Sequence, residues 1–106
     1  MATYKVLAQS APSAVTATTL YTATNATIVS TLNACNIGGT QDTIRVAVRP
    51  AGASLSNQHY IAYGVPLAAG AILSLQGGIT LANTDVITVY STTGTTSFSA
   101  FGSEGN

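Results

Sequence analysis

Charge is what this sequence lacks most. Lysine, arginine, aspartate and glutamate make up 6% of its 106 residues, against about a quarter in an ordinary soluble domain. Lys5, Asp42, Arg45, Arg49, Asp85 and Glu104 are the whole charged set, and they cancel to a formal net charge of zero. A free monomer ordinarily carries net charge of one sign to stay soluble, so this chain is expected to live packed against neighbours. The same scarcity argues against nucleic acid as a partner. Phosphate contacts need a basic patch, and three cations set against three anions do not make one.

Other absences narrow the chemistry. A single cysteine, Cys35, excludes an internal disulfide framework. It lies in an apolar-rich segment with no basic residue nearby, so it is expected to be a small buried hydrophobe, not a reactive thiol. One histidine, one cysteine and three scattered acids are too few to converge on a metal, and no cofactor is implied. Glycoside hydrolysis needs two facing carboxylates, but Asp42 and Asp85 each follow a turn and read as strand-start residues. His59 has no nucleophile motif beside it. No catalytic residue is assigned, and the chain is expected not to be an enzyme. Its longest apolar stretch, 65–73, contains Pro66 and Gly70 and falls far short of the roughly 20 residues of a spanning helix. The opening Met1-Ala2-Thr3-Tyr4-Lys5 lacks the apolar core of a signal peptide. No membrane partner is expected, and assembly in a cytoplasm is.

What remains is 46% hydrophobic, with threonine and serine supplying most of the polarity. Apolar residues recur at period two, and turn residues interrupt them at short intervals. The pattern predicts strands over 3–9, 18–23, 27–37, 42–49, 59–63, 71–76, 79–81, 86–91 and 96–101. Gly64 and Pro66 are expected to close the fifth of these, Gly77-Gly78 to separate the next two, and 102–106 to form a polar tail. The expected fold is all-β: one domain over 1–106, an antiparallel β-sandwich, jelly-roll-like, of about eight strands.

Face assignments follow from the alternation. Ile44, Val46 and Val48 should point to the core, with Thr43, Arg45, Ala47 and Arg49 pointing away. In 27–37, Val29, Cys35 and Ile37 oppose Ile28, Leu32 and Ala34. In 86–91, Val86 and Tyr90 oppose Ile87 and Val89. Since a two-sheet sandwich buries one face of each sheet, the surplus apolar face predicts a second covering surface.

Tyrosine and arginine dominate interface hot spots, which selects candidate protein–protein contact residues: Arg45, Arg49, His59, Tyr60 and Tyr63. Arg45 and Arg49 sit four apart on one strand face, about 13 Å along the strand, a spacing suited to bracketing acidic groups. His59, beside Tyr60, reads as an edge or interface residue making ordinary hydrogen bonds.

Several runs carry a resemblance. Arg45-Val46-Ala47-Val48-Arg49-Pro50-Ala51-Gly52-Ala53 leads into Asn57-Gln58-His59-Tyr60-Ile61-Ala62-Tyr63. Gly78-Ile79-Thr80-Leu81, Asp85-Val86-Ile87-Thr88-Val89-Tyr90 and Phe98-Ser99-Ala100-Phe101-Gly102-Ser103-Glu104 follow. With the opening Tyr4-Lys5-Val6-Leu7-Ala8-Gln9, they resemble small β-sandwich virion proteins of tailed bacteriophages, marine and cyanobacterial ones especially. The resemblance implies a copy-rich piece of a virus particle and carries no active-site residues. It also implies a homo-oligomer, a trimer favoured, bound to a major capsid or tail protein and assembled in the host cytoplasm. Head decoration (a cement protein) is the first expectation; a neck, tail or fibre component and a host-glycan-binding adhesin are the alternatives.

Overall fold

The period-two pattern resolves into eight strands in the computed structural model, which describes residues 3–105. They are β1 (Thr3–Ser10), β2 (Thr18–Thr22), β3 (Thr27–Asn36), β4 (Asp42–Arg49), β5 (Tyr60–Leu67), β6 (Ile72–Leu81), β7 (Val86–Ser91) and β8 (Thr96–Glu104), with short 3-10 turns at Pro50–Gly52 and Asn57–His59. Met1, Ala2 and Asn106, which the sequence reading placed at the chain's start and in its polar tail, lie outside the described residues.

Two four-stranded sheets form, in the orders β1-β8-β3-β6 and β2-β7-β4-β5. Their pairing has a simple logic. β4 pairs with β5, β3 with β6, β2 with β7 and β1 with β8, all antiparallel. The chain is therefore one long hairpin, bent at the β4–β5 connection and rolled up. Rolling adds the β3–β8 and β4–β7 pairs that complete each sheet. This is the connectivity of an eight-stranded jelly roll. Phe98, Leu32, Ile44, Leu81, Ile87, Val29, Val46 and Val89 fill the space between the sheets.

Bulges account for most departures from the sequence reading. In the first sheet, Val6 and Ala8 face Phe101 and Ala100, so Leu7 is extra on β1. Val29 and Thr31 face Gly102 and Phe101, so Ser30 is extra on β3. On β6, Gly77 and Gly78 together face Ser30. These irregularities lie in a line across the sheet. The glycine pair is thus not a break between two strands but a bulge within one, and Gly78 takes the left-handed φ of 78° that glycine tolerates. The phase of β3 flips at Ser30: Thr27 and Val29 are buried before it, Leu32, Ala34 and Asn36 after it. Val29 consequently shares the core with Leu32 and Ala34 instead of opposing them. Cys35, expected to be buried, is half-buried on the outer face, and part of the predicted surplus apolar face disappears.

Two strands run further than expected. β5 continues through Gly64 and Pro66 because it is the edge of the second sheet, where a missing N–H costs no ladder bond. β8 continues to Glu104, which pairs with Thr3 and Thr27, so the expected tail is largely strand. In β7, Val86, Ile87, Thr88 and Val89 are all buried, so both faces of this interior strand are covered by the chain itself.

A polar knot closes one end of the sandwich. Asp42, only 1% exposed, accepts hydrogen bonds from the Ser91 and Thr96 hydroxyls and from the backbone N–H groups of Thr43 (2.7 Å) and Thr93 (3.0 Å). Burial alone would push this carboxyl up, but the four hydrogen bonds outweigh it and hold the pKa at about 2. Asn36 beside it uses its whole hydrogen-bonding capacity. Nδ2 donates to the Thr40 and Leu67 carbonyls, and Oδ1 accepts from Gly38 N–H and the Thr95 hydroxyl. At the far end of β8, Glu104 binds Lys5 at 2.6 Å and accepts from the Tyr21 hydroxyl, joining the first sheet to β2.

Asp42→Asn should destabilise the fold by about 2–4 kcal/mol at neutral pH in urea denaturation. The lowered folded pKa means that the ionised carboxylate contributes fully above its ordinary value near 3.8 and is lost as pH falls through about 2. The gap between wild type and variant should therefore narrow over that interval. Gly102→Ala should prevent stable folding, because a Cβ there would run into the backbone at Ile28 and Val29. Gly78→Ala, with nothing within 4 Å, should cost only about 1 kcal/mol from its positive φ, read as the urea midpoint.

Candidate docking surface

The outer face of the second sheet gathers most of the sequence-selected residues, and bulges do the gathering. Tyr60 and Tyr63 are three apart, so a regular strand would put them on opposite faces. On β5, however, Tyr63 pairs with Arg45, Ala62 with Val46, and Tyr60 with Ala47, leaving Ile61 extra. The extra residue returns Tyr60 to the face that Tyr63 occupies. A second extra residue, Gly64 at φ 65°, brings Tyr63 level with Arg45. On the other side of β4, Arg45 pairs with Tyr90 of β7.

The result is a stack. The Arg45 guanidinium carbon lies 4.5 Å from the Tyr63 ring centre and 4.4 Å from that of Tyr90, within cation–π range of both. Tyr60 meets Tyr63 edge to face at 4.8 Å. Tyr60, Tyr63 and Asn57 line an open pocket of about 420 Å³. Tyr63 is 60% exposed.

Arg45 and Arg49 share the face but not the situation. Arg49 donates from Nε to Thr88 Oγ1 and from Nη1 to the Ala53 carbonyl, both at 3.0 Å. It thereby covers β7 and holds the loop after β4. Arg45 makes no hydrogen bond among the described residues, and its Nε is buried without an acceptor. Ala47, predicted to point outward, does so but is buried beneath this layer.

His59 stands apart from the stack. It is buried, and its Nδ1 accepts the Ser56 backbone N–H at 3.1 Å while the His59 backbone N–H donates to the Ser56 carbonyl. It anchors the turn that carries Asn57 and offers little surface to a partner. Two members of the site lie outside the protein–protein contact residues selected from the sequence: Tyr90, which the sequence offered only as a ring for sugar stacking beside Tyr60 and Tyr63, and Asn57. Only the β4–β7 register reveals Tyr90, and only the fold of the turn reveals Asn57.

The remaining charges are all engaged within the fold. Asp85 accepts the N–H groups of Ala51 (2.8 Å) and Ala82 (2.9 Å), bonds that hold its carboxyl below the usual range. The Glu104 hydrogen bond raises the Lys5 pKa, and the Lys5 and Tyr21 hydrogen bonds lower that of Glu104. Among the described residues, no three histidine, cysteine or carboxylate groups cluster as a metal site would need, and no helix is long and apolar enough to cross a membrane. No family model, curated protein or solved structure matches the chain.

Arg45→Met should change stability by less than about 1 kcal/mol, because the lost cation–π contacts are offset by removal of an unpaired buried N–H. Arg49→Met loses two hydrogen bonds and should cost about 1–2 kcal/mol. Urea denaturation of the two variants side by side checks the contrast.

Proposed function

We propose that this chain is a non-enzymatic structural protein of a virus particle, a decoration (cement) subunit that docks on a major capsid shell through the Tyr60, Tyr63, Arg45 and Tyr90 layer. One observation carries the reading. Five of the six charged side chains are tied into the fold by hydrogen bonds or an ion pair, and the sixth, Arg45, is stacked between two rings with no acceptor among the described residues. A guanidinium held between two aromatic planes can donate only in its own plane. A carboxylate matches that geometry in a bidentate way, and the chain's own three carboxylates are occupied. In this reading a partner's carboxylate supplies the acceptor for the guanidinium.

Other features support the same reading. Aromatic residues and arginine are enriched at interface cores. A chain with zero net charge and almost no free charge can be packed at high copy number with little mutual repulsion. Viral capsid domains are among those built as jelly rolls, although lectins and cupins share the fold and fold alone does not select function. A cement protein works by contact area, bridging shell subunits so that more interface must break before the shell opens.

Arg45→Glu tests the proposal. It turns the donor into a carboxylate facing the partner's acceptor. In particles of the encoding virus purified on density gradients, wild-type chain should co-sediment with shells, and the variant should be depleted at least about tenfold, the effect of roughly 1.4 kcal/mol. Undiminished incorporation of a folded variant would overturn this docking mode. The pocket lined by Tyr60, Tyr63 and Asn57 favours a second reading, glycan adhesion, in which tyrosine rings stack on sugars and the Asn57 amide binds hydroxyls. A glycan array with hits that disappear in Tyr63→Ala would decide for it.

A further inference from the structure

The four sheet edges are not closed alike. β1 carries Lys5 and its ion pair, β2 is only five residues long, and β5 contains Pro66 and two bulges. Charge, shortness, proline and bulges are the usual devices that stop an edge from pairing with another chain. β6 differs. Its ten residues include no charge and no proline, and its pairing with β3 is regular from Ile72 to Gln76, up to the Gly77-Gly78 bulge. Along this regular stretch Leu73 and Leu75 pack against the core yet are only partly buried, while Ile72, Ser74 and Gln76 are exposed on the other face. Ile72 is 65% exposed, and Ile37, just past the end of the neighbouring β3, is 72% exposed.

We propose that β6 pairs antiparallel with β6 of a second copy of this chain, about a two-fold axis through Ser74. The register follows from the strand itself. The regular segment runs from Ile72 to Gln76, so its centre, Ser74, meets its own copy. Leu73 then lies opposite Leu75 of the second copy, and Leu75 opposite Leu73. The partly covered leucines complete one another, and the cores of two sandwiches become continuous across the axis. The two four-stranded sheets join as one, and the free N–H and C=O groups of both edges are satisfied. Two-fold self-pairing brings like residues close together, so a charged β6 would repel itself. An uncharged β6 has no such barrier, which argues for a second copy as the occupant. The contact is isologous and closes as a dimer, not the trimer expected from the sequence. It deepens the assembly reading by naming a self-contact, but it can be tested on the isolated chain.

Sedimentation velocity from about 1 to about 100 μM should show a monomer–dimer equilibrium by mass action. Ser74→Lys places two ammonium groups at the axis and should leave monomer throughout, with an unchanged circular dichroism spectrum and a thermal midpoint that, unlike that of wild type, does not rise with concentration; it gives up one exposed hydrogen bond, from Ser74 Oγ to Asn33 Oδ1 at 2.7 Å. Gln76→Lys faces Ile72 of the second copy and should keep the dimer. A wild-type chain that stays monomeric or forms trimers, or a Ser74→Lys chain that still dimerises, would overturn the proposal. An intact dimer in Arg45→Glu chains that no longer join particles, or the reverse, separates this contact from the docking surface.

Discussion

The buried Asp42 carboxylate is the constraint on which the rest of the structure leans. A jelly roll has few connections within a sheet and many between sheets, so its two layers need fastening where the strands end. Asp42 begins β4 in the second sheet, Ser91 ends β7 beside it, and Thr96 begins β8 in the first. One acid thus ties both sheets and the β7–β8 turn to a single point. An isolated buried charge would be prohibitive, and four donors make this one favourable. Asn36 repeats the device with an amide, linking β3 to the last residue of β5. Both side chains are fully committed, which suits them to specifying one arrangement of loops at this end.

Bulges are the second organising device, and they act on geometry instead of energy. Each extra residue reverses the inside–outside phase of the strand beyond it. In the first sheet this rescues the core, because Val29 and Leu32 could not otherwise share a face. In the second sheet it builds the surface, because Tyr60 and Tyr63 could not otherwise lie side by side next to Arg45. The same operation serves packing in one layer and the arrangement of the surface in the other.

The scarcity of charge acquires a sharper meaning from these contacts. The carboxylates are not scattered solubility groups: Asp42 and Asp85 order turns, and Glu104 joins the sheets. The surface left behind is hydroxyl, amide and apolar, with large side chains such as Ile28, Ile37, Tyr63 and Ile72 exposed on it. Its two distinctive features are a stacked arginine with no acceptor among the described residues and an uncharged strand edge, one on each sheet. They are the basis of the two contacts proposed, one with a partner's carboxylate and one with an identical copy.

Composition and periodicity were enough to determine the all-β class, the single domain and nearly every strand start, because alternation and turn residues are local signals. They also marked Arg45, Arg49, Tyr60 and Tyr63 as worth attention, because so few such residues are present. They could not assign faces across Ser30, Ile61, Gly64 or Gly77-Gly78, since a bulge exists only relative to a partner strand. For the same reason Tyr90 was invisible as the second half of the arginine stack, His59 looked like surface, and Asp42 looked like an ordinary strand-start residue. Tertiary structure decided these matters, because register, burial and hydrogen-bond partners are properties of pairs of segments far apart in the chain.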